Sequence, residues 1–144
     1  MINNVVSVNG KQPNDGSEKR SLLVVEDNPP TRLLFKHMLK TKYQVEIASC
    51  VAEALQLAQE RSFDALVLDI NFLGEPRTGI DLLEMLRQMP VYREVPIVAC
   101  TAFMIRSQLL EAGFDECVEK PFTKEQLHAA LERVFNAQLQ SPRL

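Results

Sequence analysis

The chain has little of what marks several large functional classes. Its 144 residues include three cysteines, Cys50, Cys100 and Cys117, which cannot all pair with one another and show neither CxxC nor any other metal-binding spacing. That excludes a disulfide scaffold and a thiolate metal centre, and it places the chain in a reducing cytosol with its thiols as small core residues. No apolar run approaches the roughly 18 residues of a membrane span. The opening MINNVVSVNG has neither the basic start nor the long apolar centre of a signal peptide. Positive charge is not in excess either: 16 Lys and Arg stand against 19 Asp and Glu, a net charge of −3 with pI near 5.4. This argues against a dedicated nucleic-acid surface. Internal repeats and low-complexity blocks are missing. What remains is an average soluble composition, 46% apolar and 24% charged, in a chain long enough for one domain with its own core.

The pattern becomes regular from Ser21. Residues 1–20 are rich in Asn, Gly, Ser and charge and are expected to form a flexible tail. Leu22–Val25 reads as a first strand, and Asn28-Pro29-Pro30-Thr31 as the start of a helix whose apolar positions are Leu33, Leu34, Met38 and Leu39. Tyr43, Val45 and Ile47 alternate as in a strand. A second helix carries Val51, Ala54, Leu55 and Ala58, with Ser49 as its expected N-cap. Ala65-Leu66-Val67-Leu68-Asp69-Ile70 is a short apolar run ending at a carboxylate, the signature of a strand buried on both faces. A helix follows from Ile80 to Gln88 and stops before Pro90. Val95–Cys100 is the fourth strand, Ile105–Ala112 a helix stopped by Gly113, and Phe114–Val118 the last strand. Thr123 caps a closing helix with Leu127, Ala130, Leu131 and Val134, and residues 138–144 are expected to fray. Five strands alternating with five helices predict a doubly wound α/β domain over 21–137 with a parallel sheet covered on both faces.

Parallel strands bring their carboxyl ends to one edge of the sheet, where ligands bind in such folds. The first strand ends in Glu26-Asp27, the third in Asp69, and the fourth in Thr101 followed by the small Ala102. Lys120, followed by Pro121, lies just past the fifth. Two or three carboxylates within a few ångströms repel one another, and a hard divalent cation relieves the repulsion. Mg²⁺ suits such oxygen donors. Asp27 and Asp69 are expected as direct ligands, with Glu26 able to act through water and a loop carbonyl near Asn71 completing the set. With the metal and Lys120 neutralising charge, Asp69 can attack a phosphoryl group. Phosphoryl transfer depends on positioning and charge stabilisation, which the Thr101 hydroxyl also serves. Each residue alone has a plainer reading: the acids cap a helix, Thr101 closes a turn, Lys120 is solvated. Their coincidence at one edge is what carries chemistry. His37, His128 and Arg32 are read as surface residues, and Met38, Met85 and Met89 as packing.

The segments LLVVEDN, LVLDIN, IVACTA and VEKPF, taken in this order, resemble the receiver domain of two-component response regulators. The resemblance runs from Ser21 to Ala137. It implies a flavodoxin-like sheet of order 2-1-3-4-5, an order that comes from the family and not from the strand pattern. It implies Asp69 as the phosphoacceptor and a Mg²⁺ cofactor held by Glu26, Asp27, Asp69 and the backbone carbonyl of Asn71. Thr101, Ala102 and Lys120 take the phosphoryl-binding and switch positions, and Pro121 is expected after a cis peptide bond. The expected partners are a sensor histidine kinase or a histidine phosphotransfer domain as donor, and an unknown downstream protein. No nucleic-acid contact and no membrane insertion are expected, and the localisation is cytoplasmic. Such a domain is regulatory and promotes only its own phosphorylation and dephosphorylation. No output domain is recognised in these residues, which points to an apparently stand-alone receiver.

Two departures stand out. Cys117 occupies the position, three before the lysine, where many receivers carry an aromatic residue, and the interval from Thr101 to Lys120 is short by about one helical turn. The fourth helix is therefore expected to be truncated. The loop from Asn71 to Gly79 is slightly long. A receiver-like adaptor working without phosphorylation is the alternative. A phosphohydrolase using an aspartyl-phosphate is disfavoured, because Asn71 stands where such enzymes need a general acid.

Overall fold

A computed structural model describes residues 19–71, 78–102 and 106–140. Most of the expected N-terminal tail, the interior of the loop after Asn71, Ile105 and the last four residues lie outside these. The strands are β1 (Arg20–Val25), β2 (Tyr43–Ala48), β3 (Ala65–Asp69), β4 (Ile97–Thr101) and β5 (Glu116–Glu119). The helices are α1 (Pro29–Leu39), α2 (Val51–Glu60), α3 (Gly79–Arg87), α4 (Arg106–Ala112) and α5 (Lys124–Gln140), and a 3-10 turn spans Pro90–Tyr92. All strand pairs are parallel, in the order β2-β1-β3-β4-β5.

Strand side chains alternate between two faces. Leu22 and Val24 of β1, with Ala65 and Val67 of β3, pack under α1 and α5. Leu23, Val25, Leu66 and Leu68 pack under α2, α3 and α4. β3 is buried at every position, which accounts for its unbroken apolar run.

The helices depart from their expected details in instructive ways. α1 buries Phe35 and Leu39, one turn apart, while Leu33 and Leu34 are 70% and 44% exposed. The i, i+4 pair sets the buried stripe, and Leu33 and Leu34 fall off it. The N-cap of α2 is Cys50, whose sulfur accepts from the Glu53 amide at 3.5 Å, one residue after the expected Ser49. Ser49 instead donates its amide and hydroxyl to the Glu53 carboxylate, at 2.7 and 2.9 Å. α5 continues three residues beyond Ala137.

Among the described residues α4 has seven and buries only Leu109. It closes with a Schellman motif: Phe114 N donates to Leu109 O, Gly113 N donates to Leu110 O, and Gly113 has φ 120°. Polar contacts supplement its small apolar contact. Glu116 of β5, 7% exposed, receives Arg106 of α4 on one oxygen and Arg133 of α5 on the other, the latter at 3.0 Å. Burial alone would raise the Glu116 pKa, but the two arginines outweigh it and hold the pKa below the ordinary glutamate value.

At the site edge, α3 starts directly against the end of β3. Thr78 and Asp81 form a reciprocal capping box, and Gly79 N donates to Ile70 O at 2.8 Å. A Cβ on Gly79 would lie 2.2 Å from Asp69 O and 2.9 Å from Ile70 Cα. Both are backbone atoms that cannot rotate away. Gly79→Ala is therefore expected to push α3 off the strand end and to lower the urea midpoint, by about 1–3 kcal/mol of stability. An unchanged midpoint would show that the helix start accommodates the methyl.

Candidate functional site

The register of the sheet assembles the polar residues at one edge. Asp69 pairs with Cys100 and Thr101 with Glu119 across β3–β4–β5, so β3 and β4 deliver Asp69 and Thr101 to neighbouring positions. Past β5, Lys120 N donates to Thr101 O at 2.9 Å. On the other side of β3, Glu26 N donates to Ala48 O at 3.0 Å, which carries β1 one residue further along the sheet. Glu26, Asp27 and Asp69 each place a carboxylate oxygen within 4.8 Å of the others.

Glu26 and Asp69 are 1% and 5% exposed, while Asp27 is half-buried. Lys120 Nζ lies 2.7 Å from Glu26 Oε1 and 3.4 Å from Asp69 Oδ1. The lysine is thus seated on Glu26 and only leans towards Asp69. The second Glu26 oxygen accepts from Asn28 N at 3.1 Å. Both oxygens of Glu26 are engaged inside the protein.

Burial pushes the Asp69 carboxyl up to about 6, and the neighbouring Glu26 charge adds to the rise. Lys120 and the Asn71 amide pull it partly back. The Lys120 ammonium pays for its own burial, but Glu26 and Asp69 more than compensate and raise its pKa. Three carboxylates thus meet the single Lys120 ammonium in a partly buried cleft. The donors are all hard oxygens, so the set fits a small divalent cation.

Thr101 is buried, and its hydroxyl lies 3.4 Å from the Asn71 side-chain nitrogen. Asn71 also directs its backbone amide at Asp69 Oδ1, 3.4 Å away. Ala102 is exposed just beyond β4. The Lys120–Pro121 peptide bond is cis. Cys117 is buried against the α2–α3–α4 side of the sheet, and Cys100 faces the other side. Burial raises the pKa of both thiols, so they are inert neutral groups.

Two residues expected on the surface are half-buried and bonded to backbone carbonyls. The Arg32 guanidinium donates through one nitrogen to Glu26 O at 3.2 Å and Asp27 O at 2.7 Å. His128 is half-buried, with Nε2 2.8 Å from Met38 O and its ring 5.8 Å from that of Tyr43. His37 is exposed. Arg32 reaches back along the chain and His128 crosses from α5 to α1, and neither contact has a local sequence signature.

The model of the response regulator receiver domain family matches residues 22–132. The chain belongs to this family. A receiver is thus regulatory by family, and its similarities divide between small proteins and parts of large ones. Chemotaxis protein CheY of Pseudomonas aeruginosa is 33% identical over 119 residues, which cover 79% of this chain and 94% of CheY. The histidine-protein kinase BarA of Shigella flexneri is 32% identical over 117 residues, 78% of this chain but 12% of the kinase. This receiver thus spans about an eighth of the length of such kinases.

Among solved structures, Vibrio cholerae CheY4 superposes with a TM-score of 0.75 at 30% identity, covering 81% of this chain and 98% of CheY4. The receiver domain of sensor histidine kinase PA1611 from Pseudomonas aeruginosa superposes with a TM-score of 0.74 at 27% identity. It covers 82% of this chain and 98% of that domain, and it has a magnesium ion coordinated in its active-site cleft.

The raised Asp69 pKa of the metal-free receiver has a signed consequence. A carboxyl that titrates at about 6 when folded and near 3.9 when unfolded favours the folded state at low pH. Stability is lost as pH rises through this window. Without divalent cation, Asp69→Asn is therefore expected to be more stable than wild type at pH 7.5. The gain is about 1–2 kcal/mol after allowing for screening at the cleft mouth, and it vanishes below pH 4. Thermal melts across pH in a chelating buffer test this, and a variant no more stable at pH 7.5 would refute it.

Proposed function

We propose that this receiver accepts a phosphoryl group from a phosphohistidine onto Asp69 and signals the change to a partner protein. The observation that carries the reading is the convergence of Glu26, Asp27 and Asp69 with Lys120 and Thr101 at one edge of the sheet. Mg²⁺ is the proposed cofactor, held by Asp27, Asp69 and the Asn71 carbonyl, with Glu26 acting through water because its oxygens are engaged by Lys120 and Asn28 N. When bound, it neutralises the carboxylates and the incoming phosphoryl oxygens. The magnesium-bound PA1611 receiver supports the assignment.

In the proposed transfer, an Asp69 carboxylate oxygen forms a bond to phosphorus while the phosphorus–nitrogen bond to the donor imidazole breaks. The bonding pair returns to that nitrogen. Lys120, already 3.4 Å from Asp69 Oδ1, pairs with a phosphoryl oxygen. The Thr101 hydroxyl and the exposed Ala102 edge receive another, with Thr101 moving from Asn71 to do so. The charge added at Asp69 biases a two-state surface.

The chain is proposed to be regulatory and not a turnover enzyme, since Asn71 cannot act as a general acid. The proposed donor is a histidine kinase or phosphotransfer domain, in keeping with the kinase relatives. It meets α1, which begins two residues after Asp27 and exposes Leu33 and Leu34 beside Lys36, His37 and Lys40. Among the described residues no helix is long and apolar enough to cross a membrane, and a cytoplasmic setting is proposed. The domain is proposed to span residues 21–137. The buried Cys117, in place of an aromatic, favours a second reading as an adaptor that binds without phosphorylation.

Intact-mass measurement with a small phosphodonor is expected to show a gain of one phosphoryl group on wild type, dependent on Mg²⁺ and absent in Asp69→Ala. Leu33→Asp is expected to keep that gain while slowing transfer from a phosphohistidine protein about tenfold or more. An Asp69→Ala protein that still gains the group would refute the phosphoacceptor. Failure of wild type with both donors and with beryllium fluoride would favour the adaptor.

A further inference from the structure

Arg32 lies in the first turn of α1, where a cation opposes the helix dipole and an acid would be favoured. α1 has no acid in that turn. The side chain instead runs back along the chain and is half-buried. A single guanidinium nitrogen donates to Asp27 O at 2.7 Å and Glu26 O at 3.2 Å, five and six residues upstream. Its own amide makes the first α1 hydrogen bond, to Asn28 O at 2.9 Å. The residue therefore joins the first helical turn to the loop that carries two of the three clustered acids.

That loop is fixed from other directions as well. Glu26 N donates to Ala48 O, and Asn28 N donates to the Glu26 carboxylate. Arg32 adds the constraint these lack, because it holds the carbonyls. Fixing a residue's carbonyl fixes its ψ angle, and with it the relation between that residue and its neighbours. Two successive carbonyls turned towards one nitrogen set the turn that brings the Glu26 and Asp27 side chains to within 4.8 Å of Asp69.

We infer that Arg32 is a positioning residue for the acidic cluster, shaping the cation site through the Glu26 and Asp27 carbonyls without touching a cation itself. The inference rests on the proposed Mg²⁺ site. Two effects of opposite sign meet here. By Coulomb attraction alone, removing a positive charge near the acids would tighten a divalent cation. By positioning, removing the clamp loosens it, and loss of a partner that orients metal ligands typically weakens binding about 10–100-fold. Two charge-assisted hydrogen bonds to backbone, one at 2.7 Å, outweigh a solvent-screened charge, so the positioning effect wins.

The test is Mg²⁺ titration of the full chain, followed by amide NMR shifts, on wild type, Arg32→Met and Arg32→Lys. Because one nitrogen makes both contacts, a lysine ammonium can replace it. The expected result is a Mg²⁺ Kd about tenfold weaker in Arg32→Met and within about threefold of wild type in Arg32→Lys, with metal-free melting temperatures of both close to wild type. Where Arg32→Met does not fold, Arg32→Gln replaces it with the same expectation. Unchanged or tighter binding in the Met or Gln variant, or equal weakening in Arg32→Lys, overturns the positioning role and leaves the cation site standing. No Mg²⁺ binding by wild type overturns both.

Discussion

The Lys120–Glu26 ion pair, 2.7 Å long and largely withdrawn from water, is the interaction on which the site depends. A parallel sheet sends every strand end to the same edge, and in this chain three of the residues arriving there are acids. Without a fixed cation, burying Glu26 and Asp69 side by side would cost several kcal/mol of charge desolvation and repulsion. Lys120 offsets part of that cost from the far side of β5. It does not distribute its charge evenly: Asp69 stands 0.7 Å further from the ammonium than Glu26 does. The consequence is visible in the Asp69 carboxyl, which burial and Glu26 push up to about 6 despite the lysine nearby. The incompletely compensated member of the cluster is the one at the centre of the sheet edge.

The rest of the fold serves to hold that edge rigid. β1, β3 and β4 are buried on both faces, so their ends cannot shift without disturbing a close-packed core. Gly79 lets α3 begin against the Asp69 carbonyl itself. Both helical layers rest on buried apolar clusters, and α4 is fastened differently from the rest. α1 and α5 pack through large apolar residues such as Phe35, Leu127 and Phe135. α4, with one buried residue, relies on Arg106 reaching Glu116, which Arg133 of α5 also holds. Among the described residues, the helix with the smallest buried apolar contact, α4, is thus one that an ion pair helps to hold.

The fold was legible in the sequence because its signals are local and repeated. A buried parallel strand must be apolar throughout, so Ala65–Leu68 announced itself, and a carboxylate at its end was conspicuous. The acids, Thr101 and Lys120 were legible as a group because parallel topology makes separate strand ends neighbours. Contacts that helix side chains make with backbone carbonyls outside their own helix were not legible. Arg32 and His128 look solvated in a helical pattern, yet each reaches a backbone carbonyl. Leu33 and Leu34 look like core, but the Phe35–Leu39 stripe takes the buried face. At α2, Ser49 and Cys50 compete for one cap position; the hydroxyl prefers the Glu53 carboxylate, and a weak sulfur acceptor is left to the helix.

Glu26 shows why side-chain length matters at such an edge. Its two oxygens face different elements: one accepts from Lys120 beyond β5, the other from the Asn28 amide at the entry to α1. An aspartate at this position would be one methylene shorter and could not span both. The carboxylate thereby ties the loop after β1 to the loop after β5, across the end of β3 where Asp69 sits. Arg32 grips the same loop from behind through its carbonyls. Asp27 is half-buried in the same loop, with its carbonyl held by Arg32. The longer, buried acid serves as a strut, and the shorter, more accessible one brings its carboxylate within 4.8 Å of those of Glu26 and Asp69.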